Sequence, residues 1–148
     1  DGNNDGRVDI INSVGDAMYS AGNYLNKLGW NKNEPIVYRV ILPADFDRDV
    51  MNGDTKKTFT EWAKMGVMNL DGTPLDAGDT VVGLIADVKN IDKIIDSQMD
   101  TNQSLDTDVA PTPVIKAYLT YPNFYRIKKW NNSSWYAIAI AELSDKLK

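Results

Sequence analysis

Residues 1–30 have the sequence DGNNDGRVDIINSVGDAMYSAGNYLNKLGW, in which a loop rich in Asp, Asn and Gly leads into a helical pattern. Ser13 is a typical helix N-cap, and Asp16 three residues later gives a variant of the capping box. Gly29 is typical of the residue that follows a helix. Apolar residues between them recur at helical spacing, namely Val14, Met18, Ala21, Leu25 and Leu28. This stretch therefore predicts a helix over residues 13–29.

The loop before this helix matches the front of an EF-hand calcium loop. Oxygen-bearing side chains stand at positions 1, 3 and 5, Gly6 allows the sharp turn, and a backbone carbonyl serves at position 7. Position 12 departs from the pattern, because Asn12 cannot replace the usual bidentate glutamate, but Asp16 is placed to close a longer loop. Hard oxygen ligands favour calcium over zinc or copper, and this ion would fix the loop against the helix. The alternative is a plain Asp/Asn/Gly turn in which Asp16 acts only as a cap.

The composition excludes several functional classes. The chain has 148 residues, 43% of them hydrophobic, which suffices for one domain with a core or for two small ones. It contains no cysteine and no histidine, which excludes disulfides, thiol catalysis, Cys or His metal sites and Ser-His-Asp triads. No apolar run approaches the roughly 20 residues that span a bilayer, and there is no signal peptide at the start. Because the chain opens inside a motif rather than with Met, we expect a piece of a longer protein.

Charge is distributed unevenly along the chain. The net charge of −5 makes a nucleic-acid partner unexpected. Residues 45–108 hold 14 acidic and 6 basic residues, whereas residues 109–148 hold 2 acidic and 6 basic ones. Aspartate outnumbers glutamate by 18 to 3, and aspartate favours loops and caps over helix interiors. The middle of the chain is therefore predicted to be rich in loops with a solvated acidic surface.

The rest of the chain predicts a β-rich middle followed by two helices. Strands are predicted at 36–43, 80–86 and 114–121, and helices at 58–65, 121–131 and 133–147. Residues 87–113 predict an exposed loop with a helical turn or two at Ile91–Met99. The fold class is therefore α+β. The predicted domains are residues 1–35 with the loop and first helix, 36–120 with the strands, and 121–148 with the last helices.

A small set of aromatic and amide residues is the candidate binding site. Tyr24 lies at the edge of the first helix's apolar stripe, and Trp130, Asn131 and Tyr136 bracket the break between the last two helices. Aromatic rings pack on the apolar faces of sugars, and amides bond to hydroxyl or N-acetyl groups. The alternative is that these aromatic residues belong to an ordinary helical core.

Three segments resemble the lytic murein transglycosylase B family. They are the stretch of residues 1–30 quoted above, TFTEWAKMGVMNLDGTPL (58–75) and YLTYPNFYRIKKWNNSSWYAIAIAELSDKL (118–147). They cover about half of the chain in the family's order, and residues 87–113 depart from its pattern. The resemblance implies a partial lysozyme-like helical core with an EF-hand-like calcium loop and a small β-rich domain inserted between the helices.

The resemblance also implies a reaction and its residues. The family cleaves the MurNAc–GlcNAc bond of peptidoglycan without water and leaves a 1,6-anhydro product, with one carboxyl acting as acid and then as base. Its sugar-contacting residues fall on Tyr24, Trp130, Asn131 and Tyr136. Its structural calcium ligands fall on Asp1, Asn3, Asp5, the Arg7 carbonyl and Asp16. Its catalytic glutamate lies upstream of the calcium loop, so no catalytic residue is assigned here, and we expect the chain alone to be inactive.

The expected partners follow from this resemblance. They are a peptidoglycan glycan strand and the N-terminal half of the same enzyme, which carries the acid, and an oligomer is the alternative way to cover the apolar helix faces. The expected location is the bacterial periplasm or cell envelope, with or without a lipid anchor on another segment. Two other functions remain open: a non-catalytic module that binds peptidoglycan or a partner protein, and a calcium-stabilised structural module.

Overall fold

The computed structural model describes residues 1–86 and 114–147 and divides the chain into two compact units. The helical unit consists of Asp1–Ile36 and Pro122–Lys148, and the sheet unit consists of Val37–Tyr121. The sequence analysis placed its domain boundaries after residues 35 and 120. The predicted loop 87–113, with its helical turn at Ile91–Met99, lies outside the described residues.

The sheet unit contains four antiparallel strands in the order β1-β4-β3-β2. Their bounds are Val37–Pro43 (β1), Lys57–Thr58 (β2), Val81–Ala86 (β3) and Val114–Thr120 (β4). β1 pairs with β4 along its whole length, from Val37 opposite Thr120 to Pro43 opposite Val114. One face of these strands forms the core of the unit, because alternate residues of each strand point to the same side. Its fully buried members include Val40, Leu42, Val82, Leu84 and Leu119.

A short helix, α2 (Phe59–Lys64), contributes the largest side chain of this core. Trp62 is completely buried, and its indole N–H donates to the Val82 carbonyl over 3.1 Å. A full capping box starts the helix, since the Thr58 hydroxyl accepts from the Glu61 N–H and the Glu61 carboxylate accepts from the Thr58 N–H. These bonds hold the pKa of Glu61 below its ordinary value, and they fix the turn from which Trp62 enters the core.

Two small elements of the sheet unit were not predicted. β2 has only two residues, so it offers no alternating pattern and exists through its pairing with β3. A single 3-10 turn, Arg48–Val50, is capped by the Asp47 carboxylate, which accepts from the Asp49 N–H. Asp47 thus serves in a turn, the role that the abundance of aspartate in this region predicted.

The helical unit contains α1 (Val14–Lys27), α3 (Pro122–Trp130) and α4 (Ser134–Lys146). Ser13 and Ser133 are the N-caps of α1 and α4, and each hydroxyl accepts a backbone N–H three residues later at 3.2 Å. All three helices were predicted to within two residues at either end. No helix among the described residues has the length and apolar character needed to cross a membrane.

The apolar stripe of α1 is only half covered. Leu25 and Leu28 are partly buried, whereas Val14 and Met18 in the first two turns are 74% and 72% exposed. Ile11, just before the helix, is more exposed still. Helical spacing therefore identified the apolar stripe of α1 correctly. Only the C-terminal part of this stripe is covered by other residues in the described part of the chain.

Candidate functional site

The N-terminal loop is organised by hydrogen bonds from its own backbone to its side chains. The Asp1 carboxylate accepts from the N–H groups of Asp5 at 3.1 Å and Gly6 at 2.9 Å. The Asn3 amide oxygen also accepts from the Asp5 N–H, and the Asp5 carboxylate accepts from the Arg7 N–H. Positive φ angles at Asn4 (61°) and Gly6 (83°) turn the chain tightly enough for these contacts. The side-chain oxygen atoms at positions 1, 3 and 5 thus all accept backbone N–H groups of the loop itself.

Asp16 closes this loop onto the first turn of α1. Its side chain is completely buried, and its two oxygen atoms accept from the N–H groups of Gly2 and Asp9, at 2.5 and 2.9 Å. The bond from Asp9, followed by the bond from Gly2, keeps the pKa of Asp16 below its ordinary value. The predicted capping box is wrong in its second half, since the Ser13 N–H donates to the Asp9 carbonyl rather than to Asp16.

The loop backbone lies directly against the helix backbone at one point. A Cβ atom added to Gly2 would lie 2.3 Å from the Gly15 carbonyl oxygen, which no side chain tolerates. A Cβ atom added to Gly15 would meet its nearest neighbour at 3.7 Å, an ordinary contact distance. Glycine is therefore required at position 2 by the closeness of the two backbones, and not at position 15.

The predicted calcium ligands suit a hard cation by chemistry. Within the two described ranges, no three Asp or Glu side chains are gathered into a metal-binding cluster. Calcium, however, takes six to eight oxygens that include amide and carbonyl groups. Asn3 and the Arg7 carbonyl supply such groups beside Asp1, Asp5 and Asp16. The whole donor set is oxygen, which fits calcium and does not fit zinc or copper.

Tyr24 and Trp130 form an aromatic pair in the helical unit. Their ring centroids lie 5.3 Å apart with 73° between the planes, the edge-to-face geometry that aromatic pairs prefer. Trp130 nevertheless remains 54% exposed, and Tyr24 is exposed as well. The last residue of α3 thus meets the third turn of α1, while most of the indole surface stays accessible.

A pocket of about 290 Å³ lies against Trp130. Trp130 and Tyr136 line it together with Trp30, Leu25 and Ile127, so its wall is mainly apolar. Two of the predicted binding residues therefore share one pocket, and Tyr24 touches one of them. Trp30 was not singled out by the sequence analysis, because an isolated tryptophan after a helix gives no signal of its own.

Asn131 lies at the break between α3 and α4 and does not line the pocket. Its backbone N–H ends α3 by donating to the Ile127 carbonyl, and its own carbonyl accepts from the Ser133 N–H at 2.7 Å. Its side chain is exposed and makes no hydrogen bond within residues 1–86 and 114–147. The amide is therefore available to a ligand beside Trp130.

A buried polar network that the sequence analysis missed holds α3 to the turn after α1. The Asn123 side chain is completely buried and donates to the carbonyls of Asn31 and Glu34, at 2.7 and 2.8 Å. Its oxygen accepts from the Asn31 N–H and from Arg126. Arg126 also pairs with Glu34 at 3.1 Å and donates to the Leu28 carbonyl. The network sets the position of α3 and hence of Trp130 at its end.

The glutamates of the chain are engaged in structural contacts. Glu34 accepts from Arg126 and from the Asn123 N–H, and Glu61 belongs to the capping box of α2. Glu142, on α4, is partly buried and has an interaction partner. Neither Glu34 nor Glu142 lines the pocket of Trp130 and Tyr136.

Comparison with known proteins identifies the family. The model of the transglycosylase SLT domain matches residues 1–145. Two structures of SltB3 from Pseudomonas aeruginosa, one with NAG-anhNAM-pentapeptide and one with NAG-NAM-pentapeptide, are 31% and 32% identical over 99% of this chain, with a TM-score of 0.71 for each. SltB1 from the same organism shares the fold at 21% identity over 98% of this chain, with a TM-score of 0.60.

The chain spans 33% of the SltB3 chain and 40% of the SltB1 chain. No curated protein matches it. The resemblance to lytic transglycosylases drawn from the sequence is confirmed, together with a mixed helix and strand fold similar to theirs. With the domain match extending over almost every residue, the chain belongs to the transglycosylase SLT domain family.

Proposed function

We propose that this chain forms one wall of the glycan cleft of a peptidoglycan lytic transglycosylase that cleaves the MurNAc–GlcNAc bond to a 1,6-anhydro product. The observation that carries the proposal is the pairing of Tyr24 with an exposed Trp130, next in the chain to Asn131, whose side-chain amide makes no hydrogen bond to the described residues. An exposed ring next to an amide suits an N-acetylated sugar. The SltB3 structures hold NAG-NAM-pentapeptide and its anhydro counterpart, which are peptidoglycan fragments of this kind.

We expect the catalytic acid to come from outside this chain. A carboxyl that gives and then takes a proton must reach the glycosidic oxygen and have a pKa near the working pH. Glu61 has a lowered pKa, which favours its ionised form, and Glu34 is held in an ion pair with Arg126. The exposed apolar start of α1 supports association with a further segment that carries the acid.

The glycan proposal is tested by titrating the chain with NAG-NAM disaccharide under isothermal calorimetry. Trp130→Ala is expected to weaken binding roughly two- to ten-fold, since an aromatic contact contributes about 0.5–1.5 kcal/mol. Trp135→Ala is the matched control, because Trp135 is an exposed tryptophan on α4 that does not line the pocket. Equal affinities for both variants, or anhydro-muropeptides released from peptidoglycan by this chain alone, would contradict the proposal.

We also propose that the N-terminal loop binds a structural calcium ion through Asp1, Asn3, Asp5, the Arg7 carbonyl and Asp16. A bound ion would stabilise the loop and α1 and would leave the chemistry of the cleft unchanged. At a calcium concentration 100 times the Kd, linkage predicts about 2.7 kcal/mol of added stability. The added stability is measured as a shift in the thermal unfolding midpoint between samples with calcium, with magnesium and with a chelator. Equal midpoints in calcium and in chelator would exclude the site.

The proposed location of the whole protein is the bacterial cell envelope. The support is the family match, since members named as lytic transglycosylases act on peptidoglycan. Fractionation of cells that produce the protein, with immunodetection in the periplasmic and membrane fractions, tests this proposal.

A further inference from the structure

A second hollow of the helical unit, here called the α1 groove, lies between α1 and the N-terminal loop. It has a volume of about 370 Å³, within the range of roughly 300–1,000 Å³ that is usual for small-ligand sites. Its walls are more polar than those of the Trp130 pocket. On the helix side it is lined by Tyr19, Ser20, Asn23, Tyr24 and Lys27, and on the loop side by Asp1 and Val8. The spacing of the helix residues places them on one face of α1.

The polar groups of this face have no partner in the described part of the chain. The hydroxyls of Tyr19 and Ser20, the amide of Asn23 and the ammonium of Lys27 make no hydrogen bond or ion pair with residues 1–86 or 114–147. Asp1 differs from them, because both of its carboxylate oxygens accept N–H groups of its own loop. Among the groove residues, Lys27 is therefore a cationic side chain without an ion-pair partner in the described residues, and it lies with neutral donors and acceptors and the hydrogen-bonded carboxylate of Asp1.

Tyr24 connects the α1 groove to the proposed glycan wall. One side of this residue lines the groove, and its ring packs against Trp130 at 5.3 Å. A ligand that stacks on Trp130 therefore lies next to Tyr24, which lines the same groove as Lys27. In peptidoglycan the muramic acid carries a peptide as a side branch, and a peptide ends in a carboxylate.

We propose that the α1 groove binds the peptide stem of the glycan, with Lys27 pairing with a stem carboxylate and Asn23 bonding to its backbone. The proposal rests on the glycan-binding function proposed above. Where muramic acid bears its peptide, the lactyl carboxylate is bound in the amide that attaches the stem, so the free carboxylates that an ammonium can pair with belong to the peptide. Lys27 would thus favour glycan that still bears its peptides.

Three soluble probes separate the two proposals: NAG-NAM, NAG-NAM-pentapeptide and the free pentapeptide. Calorimetric titration of the 148-residue chain is expected to show about five-fold tighter binding for NAG-NAM-pentapeptide than for NAG-NAM, the size expected for an exposed charge pair. Lys27→Met should abolish this difference, and Lys27→Arg should keep most of it. Lys32→Met is the matched control, because Lys32 is exposed in the turn after α1 and does not line the groove.

The preference for the peptide-bearing probe should also shrink as salt is raised, because exposed charges are screened. Equal affinities of the unmodified chain for NAG-NAM and NAG-NAM-pentapeptide would overturn the peptide-stem proposal and leave the glycan proposal standing. The proposal would also be overturned if Lys27→Met lost the same fraction of its affinity for NAG-NAM as for NAG-NAM-pentapeptide. If the free pentapeptide binds in a manner that depends on Lys27 and NAG-NAM does not bind at all, the peptide-stem proposal is supported and the glycan-binding proposal is refuted.

Discussion

Replacement of Asn123 by alanine should destabilise the helical unit by about 3 kcal/mol. The side chain is completely buried and serves three backbone groups, the N–H and carbonyl of Asn31 and the carbonyl of Glu34. Alanine reaches none of them, and each lost bond to a buried group costs about 1 kcal/mol or more. The bond from Arg126 to the Asn123 oxygen, at 2.8 Å, is lost as well.

Urea unfolding followed by tryptophan fluorescence measures this loss. Three of the four tryptophans, Trp30, Trp130 and Trp135, belong to the helical unit, so the signal reports mainly on that unit. Asn132→Ala is the control, because Asn132 is exposed and its side chain makes no hydrogen bond in the described residues. This prediction would be refuted if Asn123→Ala lowered the free energy of unfolding by less than about 1 kcal/mol, or by no more than the control does. The network would then not be what holds α3 to the turn after α1.

Two further outcomes follow from the loop and from α2. Gly2→Ala should destabilise the helical unit by about 1–3 kcal/mol through the clash with the Gly15 carbonyl, whereas Gly15→Ala should be neutral or stabilise by up to about 1 kcal/mol. Thermal unfolding of the two variants measures both effects. A shift of the unfolding midpoint in the same direction for both variants would contradict the close contact between the two backbones. The stabilisation from Glu61 should be complete above its ordinary pKa of 4.5 and should disappear as the pH falls through its lowered pKa. Urea unfolding at several pH values should therefore show the difference between the native chain and Glu61→Gln narrowing in acid, and a difference that is independent of pH would contradict the capping assignment.

The helices and the long strands were predictable because their signals are local. Ser13, Thr58 and Ser133 mark helix starts through bonds to N–H groups three residues away, so the sequence itself contains both partners. The two residues of β2 carry no such signal, since their partners in β3 lie 23 and 25 residues later in the chain. The same limit applies to any element that exists only through its tertiary partner.

The candidate site was predictable in its residue types and only partly in its geometry. Tyr24 was suggested by its place at the edge of the apolar stripe of α1, and Trp130 by its place at the break between α3 and α4. The structure brings these two rings together. Asn123 was quoted only as part of a motif, because its partners lie 89 and 92 residues away and no spacing rule connects them. Asp16 was correctly placed at the loop, but local rules gave it a capping role that its tertiary bonds to Gly2 and Asp9 replace.

The pairing of Val37 with Thr120 has a consequence for the order of folding. Bringing Asn31 to Asn123 from an unfolded chain closes a loop of about 90 residues, which costs about 4 kcal/mol of chain entropy. Once β1 and β4 have paired, the two ends of the sheet unit leave it side by side, and the segments that build the helical unit are already neighbours. The sheet and the helical unit thus share one long loop closure, so substitutions that weaken the pairing of β1 with β4 should slow the assembly of helices that they do not contain.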